Sequence, residues 1–499
     1  MLSGTERDRE HPATFRGVLV IGEFRAIYAA STLSWIGDYI ARAAITALVY
    51  TNTGSVIASA AAFAISYAPW LLGGSVLVSL AERYPYRTVM VLCDVGRMLI
   101  MTAVALIPLP LWVVLLLLLC AALFAPPFEA ARSAMLPSLL PGDRYVVGLA
   151  MHTATAQPAQ LAGYFAGAAL VAVSSQLALL INAATFVASA LLVRFGVRLR
   201  PPALQRGRRS HLLNETVEGF RLVFSNRALR SIILLVFGGS IFAVVPEGLG
   251  AAWAASLPDK SSRGWAQGLI MGAIPLGAIL GALTVTRLVP PDTRQRLLRP
   301  LAISIPLALV PTIFNPSVLS VALLACLSGF AMGALVPIAN GQFVQALPNA
   351  YRARAFGVVQ GGLQVLQGGA VLATGSLSNL SQGSRLPMVV GLWSIAGVGL
   401  MLLLSAFWPP PRVFAEAVTA AAVANAAQSS SYAARHSVEA GTDNTDAAAS
   451  GAASAEGQAK ADEQPAPRQR ENRWGRGRRS VTGTARPQAT SRHPGTMEP

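Results

Sequence analysis

Ionisable side chains inside long apolar stretches are the first chemistry-bearing feature, because a charge in hydrocarbon is costly and persists only where it is paired or functional. This 499-residue chain has four such places. Asp38 and Arg42 stand four apart, while Asp94–Arg97 and Glu129–Arg132 stand three apart. Either spacing puts both members on one face of a helix. Glu247 follows Pro246 toward the outer end of another apolar run. Such groups can bind and release protons, or they can neutralise one another. Asp38 is about twelve residues into its helix, near the middle of a bilayer at ~1.5 Å rise per residue. There it either exchanges protons as water access alternates or forms a neutral pair with Arg42. Asp94–Arg97 and Glu129–Arg132 read as structural ion pairs. Glu129 and Glu247 remain further candidates for proton exchange, Glu247 alternatively reaching water at the outer end.

Amides mark two more helices. Gln360, Gln364 and Gln367 form one stripe at i, i+4 and i+7, and His152, Gln157 and Gln160 stand on a second helix. These side chains suit either a cavity wall making a few hydrogen bonds to a mostly apolar small molecule or contacts between helices. Gly163 and Gly167, like Gly357 and Gly361, have the spacing of close helix packing. Enzyme signatures are missing: no GxxxxGK(S/T), HExxH, CxxC or GxSxG occurs. The three cysteines, Cys93, Cys120 and Cys326, lack ligand spacing. No catalytic residue, metal or cofactor is expected.

The elements that must carry these residues follow from composition. Hydrophobic residues make up 53% and charged residues 12%, whereas soluble domains are about a quarter charged. A membrane span needs about 20 mostly apolar residues. Twelve runs meet that need, at 26–50, 56–79, 88–108, 111–134, 147–172, 175–197, 229–256, 265–287, 297–315, 317–341, 355–379 and 386–408. Turn chemistry separates them, as at Thr51-Asn52-Thr53-Gly54 and Asn315-Pro316-Ser317. The expected fold class is an all-α membrane protein with twelve transmembrane helices in two six-helix bundles. The bundles run 26–197 and 229–408. A cytoplasmic segment at 1–25 precedes them and a basic cytoplasmic loop at 198–228 joins them. Residues 409–499 are rich in Ala, Ser and mixed charge, and predict a disordered cytoplasmic tail.

The net charge of +16 could suggest nucleic acid, but its placement says otherwise. With the N-terminus inside, nearly all arginines fall on inner segments, and the outer loops hold only Lys260, Arg263 and Arg385. That bias places both termini in the cytoplasm, in a cell inner membrane, and leaves no charge for nucleic acid to explain.

The loop between the second and third helices reads Val78-Ser79-Leu80-Ala81-Glu82-Arg83-Tyr84-Pro85-Tyr86-Arg87. It resembles the G-x-L-A-D-R-x-G-R-R/K loop of the major facilitator superfamily, with Val78 and Pro85 in place of the two glycines. Ser34-Trp35-Ile36-Gly37-Asp38, Phe128 to Pro137, Ile181 to Phe186 and Gln345 to Arg354 are similar to the same family, in particular to its bacterial twelve-helix drug and siderophore exporters. The resemblance covers residues 25–408. It implies that Glu82, Arg83 and Arg87 form a gating loop, Glu82 sitting by the N-terminal end of helix 11 when the inner side is closed. Halves related by an internal repeat imply a substrate path between them. The function so implied is secondary active transport, with proton-coupled efflux of a small amphipathic compound by a monomer in the lipid bilayer. A solute importer of the same fold and a non-transporting membrane sensor or scaffold are the alternatives.

Overall fold

The computed structural model describes residues 14–71, 83–200, 220–257, 259–380 and 386–427. Among these residues the chain is helical throughout, with no strand. After a short helix at Phe15–Leu19 come α1 (Gly22–Thr53), α2 (Val56–Ala64, continuing through a 3-10 turn to Tyr67), α3 (Tyr86–Leu106) and α4 (Leu111–Leu139). Next are α5 (Asp143–Val173), α6 (Ser175–Gly196), α7 (Arg227–Ala255) and α8 (Lys260–Leu288). The series ends with α9 (Pro291–Leu309), α10 (Val318–Gln345), α11 (Arg352–Leu380), α12 (Leu386–Ala406) and α13, residues 411–427. Nine of the described helices are long and apolar enough to cross a membrane. The short α2 and the polar α1 and α5 are not among the nine.

Local chemistry sets the breaks. α1 stops at Gly54, whose φ of 63° and N–H bond to the Tyr50 carbonyl make a left-handed C-terminal cap. Ser55 then starts α2 by accepting from the Ala58 N–H. The 3-10 turn in α2 precedes Pro69, which has no N–H to give to Ile65. Likewise α4 is interrupted at Phe124 before Pro126-Pro127, and α7 at Val244 before Pro246. The interruption in α7 lies next to Glu247.

Helices α1–α6 and α7–α12 form two bundles. Arg83, Arg87, Arg144, Arg194, Arg287 and Arg352 all lie at one end of the helices, which serves here as a landmark. At this arginine-rich end each bundle has its own apolar core. One is built on Phe24, Met90, Phe128 and Leu140, the other on Leu229, Ile233, Leu335 and Phe343. At the opposite end one core spans both bundles: Phe63 and Tyr164 pack with Leu249, Trp253, Met271 and Val371. Glycines allow the approach there. A Cβ at Gly264 of α8 would meet the Ala168 carbonyl of α5 at 3.0 Å. Gly163 and Gly167 hold α5 against α1 in the same way, at Ile36 and Ile40.

Two expectations are corrected. Among the described residues Gly357 and Gly361 find no close packing, since a Cβ at either meets none of them within 4 Å. They lie on the α11 face whose far end, Gly368 and Gly375, packs on Tyr67 and Ala60 of α2. That face contacts the other bundle at the arginine-poor end. The second correction concerns the tail, predicted to be disordered from residue 409. Residues 411–427 form a helix because Val413, Phe414, Ala417 and Ala421 make an apolar stripe that an Ala-rich composition conceals. Phe414 stacks on Trp408 at 5.2 Å, and Ala417 joins the core of the second bundle. Asn425 accepts from the Asn349 N–H at 2.7 Å, tying α13 to the turn before α11.

Candidate functional site

The polar residues of α1 face a set of partners that only the folded bundle brings within reach. Asp38 does not pair with Arg42. Its Oδ2 lies 3.6 Å from Nη1 of Arg97 on α3. Arg97 Nη2 in turn bonds Asp94 at 2.7 Å, the i, i+3 pair expected from spacing. Ser189 of α6 donates to the other Asp94 oxygen at 2.6 Å. The Arg97 guanidinium is wedged between the Phe186 and Phe128 rings, 4.4 and 4.9 Å from their centroids. Asp94 is fully buried and doubly satisfied, whereas the Asp38 side chain keeps 37% of its surface exposed.

Arg42 turns the other way, across the boundary between bundles. Its Nη1 is 3.9 Å from Oε1 of Glu247 on α7. Three rings cradle the guanidinium, Tyr39 at 5.0 Å, Phe63 at 5.3 Å and Tyr67 at 5.6 Å. Glu247 also accepts from Gln160 Nε2 at 3.1 Å and from the Tyr164 hydroxyl, both on α5. It is 5% exposed and does not reach water at the end of its helix. The reason is tertiary: the arginine-poor ends of α1, α2, α5, α8 and α11 close over it. Nearby, Gln267 of α8 donates to the Ala43 carbonyl of α1 at 2.8 Å, a second polar tie between bundles.

Glu129 and Arg132 pair on α4 as spacing predicts, with one bond of 3.0 Å. Arg132 lies over the Trp35 ring at 5.5 Å, and the rings of Trp35 and His152 of α5 meet tilted at 40°, their centroids 4.3 Å apart. The amides fall on the faces between bundles. Gln157 is exposed, three residues before Gln160 on the α5 face that bears Tyr164. Gln360 is exposed on α11, one turn from Gln364, whose Oε1 is buried without a partner. Gln367 is partly buried on the same helix. Of the gating loop, Glu82 lies outside the described residues, Arg83 is exposed, and Arg87 donates to the Val197 carbonyl at 3.1 Å. Arg87 thus ties the start of α3 to the end of α6.

A cavity of about 140 Å³ opens among α1, α2, α3 and α4. Asp38, Arg42, Arg97 and Ser66 supply its polar wall, and Ala62, Ile65, Met101 and Leu118 are among its apolar lining. Among the described residues no group of three His, Cys, Asp or Glu is placed to hold a metal ion.

Sequence reasoning missed the tyrosines. Tyr39, Tyr67 and Tyr164 sit deep in apolar helices, where a hydroxyl must find a partner, and that need was the available signal. Ser189 and Gln267 carry no comparable mark.

Two helical bundles that close over a buried polar centre, on helices able to cross a bilayer, define a multi-pass α-helical membrane protein. The sequence profile of the Major Facilitator Superfamily matches residues 27–370, and the chain belongs to that family. No curated protein sequence matches it. Among solved structures it is similar to a mutant of the nucleoside transporter NupG, with TM-score 0.60 and 16% identity, covering 77% of this chain and 100% of that one. A POT family transporter in complex with 5-aminolevulinic acid aligns with TM-score 0.60 and 13% identity, over 81% of this chain and 98% of the other. A mutant peptide transporter POT in complex with alafosfalin aligns with TM-score 0.59 and 14% identity, over 81% and 96%. These likenesses concern the fold.

Proposed function

We propose that this protein is a secondary active transporter that exports a small amphipathic compound across the inner membrane in exchange for protons, by alternating access. The observation that carries this reading is the Arg42–Glu247 pair, which joins the two bundles inside a largely apolar core. An ion pair in such a place is a switch. Breaking it by removing one charge leaves the other buried and costs about 3–5 kcal/mol, enough to shift a two-state equilibrium by orders of magnitude. Protonation of Glu247 removes that charge reversibly. On this reading Glu247 couples protons to the motion of the bundles, and Asp38 and Glu129 are the remaining candidates.

The arginine-rich end is cytoplasmic on the charge rule, with both termini inside. The bundles meet at the other end, and on this reading that end is the outer one. Gln157, Gln360 and Gln364 are then substrate-contact candidates toward the cytoplasmic side. Gln367 and Gln160 lie deeper. Efflux rather than uptake follows the resemblance to bacterial exporters.

The test is transport by inside-out vesicles across a panel of dyes, antibiotics and siderophores, with and without a pH gradient. Gradient-dependent accumulation of one compound class supports the reading. Accumulation only in right-side-out vesicles makes the protein an importer. No transport in either orientation favours a sensor or scaffold.

A further inference from the structure

The side of the first bundle that faces hydrocarbon carries an open groove beside α6. Its lining is Ala26 of α1 with Ala188, Leu191, Leu192, Phe195 and Gly196 of α6, all of them apolar. Gly196 shapes one end: a Cβ there would collide with that of Ala26, so the two helices touch at that point. Leu191, Leu192 and Phe195 stand exposed along the rest. From Ala188 to Gly196 the helix rises ~12 Å at ~1.5 Å per residue, and one leaflet contributes ~15 Å to the hydrocarbon core. An acyl chain entering at the arginine-rich end therefore finds a bed over most of its leaflet's depth.

The mouth of the groove selects the headgroup. Arg25, Arg194, Arg198 and Arg200 stand there with one carboxylate, Glu23. That carboxylate is already occupied: Arg200 donates to it at 2.6 and 3.1 Å, and the Arg198 backbone N–H at 3.3 Å. The Arg198 side chain, 3.7 Å from Glu23, stays 88% exposed. Arg25 is exposed beside Ala26, and neither it nor Arg194 has a carboxylate partner among the described residues. Arg194 lies over the Phe195 ring, 5.6 Å from its centroid, so its guanidinium sits above a side chain that lines the groove. Arginines at the inner end of membrane helices are commonplace. Set over an apolar groove, they match one amphiphile: phosphate oxygens accept from the guanidiniums while the chain lies below. A zwitterionic headgroup brings its own cation to the same arginines and gains less.

We propose that the α1–α6 groove binds an anionic phospholipid, its phosphate among Arg25, Arg194 and Arg198 and one acyl chain along Leu191, Leu192 and Phe195. Binding there requires no transport and is measured without it.

The experiment places the full chain in phosphatidylcholine nanodiscs with a trace of phosphatidylglycerol bearing a photoactivatable acyl chain, and maps the cross-linked residues by peptide mass spectrometry. Cross-links should concentrate on residues 188–196, at least fivefold above those from phosphatidylcholine bearing the same chain. A triple variant, Arg25→Gln with Arg194→Gln and Arg198→Gln, should bring the two lipids to equal labelling at a melting temperature that matches the parent. Arg287→Gln, at the same end of the second bundle, should leave the preference intact. Ala188→Trp should fill the groove and cut its labelling by either lipid. Equal labelling by the two lipids in the parent protein, which needs no variant, overturns the proposal. So does a preference spread evenly over the arginine-rich ends of both bundles, or one that persists in the folded triple variant.

Discussion

One carboxylate sits at the boundary between bundles and another lines a cavity within the first bundle. Glu247 is enclosed by protein donors and one guanidinium, so on the transport reading its charge acts on the contact between bundles. Asp38 is more loosely held and lines the cavity. Glu247→Gln tests the coupling role. The amide keeps the shape and can still accept from Tyr164, but it cannot carry a proton on and off. Gradient-driven transport in proteoliposomes should be lost while substrate exchange without a gradient survives. Arg42 loses its countercharge in this variant, so its melting temperature must be compared with the parent first. Full gradient-driven transport by a well-folded Glu247→Gln protein would move the coupling role to Asp38 or Glu129.

Among the elements, α13 changes most how the chain is understood. It packs four apolar side chains along the second bundle and bonds the turn that leads into α11. Full burial of a Val or Phe side chain contributes about 1.5–3 kcal/mol, and Val413 and Phe414 are half-buried here. Truncation after Pro410 should therefore lower the melting temperature by several degrees, whereas truncation after Ala427 leaves the helix in place and should not. Equal melting of the two truncated proteins would mean that α13 contributes nothing to the bundle. The proline interruptions act at the same scale. α7 breaks its hydrogen-bond ladder at Val244, next to the residue that bridges the bundles, so the bridge sits where the backbone yields most easily.

For the molecule as a whole, the asymmetry between its ends is the observation with consequences. Ser55 of α2 hydrogen-bonds Asn379 of α11 at 3.3 Å, across the closed end. Alternating access requires this contact to open. A Ser55→Cys, Asn379→Cys protein should therefore lose transport on oxidation and regain it on reduction, while either single variant stays active. Undiminished transport by the cross-linked protein would exclude opening at that end. Orientation is checked separately in a background without Cys93, Cys120 and Cys326. An impermeant thiol reagent applied to intact cells should label Asn52→Cys, exposed in the last turn of α1, and not Arg83→Cys at the other end. The reverse pattern would invert the topology and the direction of transport with it.

Much of this was legible along the chain because a bilayer imposes rules that act on short stretches of sequence. Length and apolarity marked the spans, Gly54 and the prolines marked their breaks, and i, i+3 spacing was enough for Asp94–Arg97 and Glu129–Arg132, whose partners share a helix. Spacing failed for Asp38 and Arg42. They also share a face, yet each found a better partner on another helix, Arg97 on α3 and Glu247 on α7. A one-helix pattern cannot weigh such partners, because their distance depends on how helices cross. The same limit hid the burial of Glu247 and the docking of α13. Composition and periodicity determined that this protein is a bundle of membrane helices with charges inside it. Only the packing of the two bundles decided which charges meet, because the free energy of a buried ion depends on the few ångströms around it.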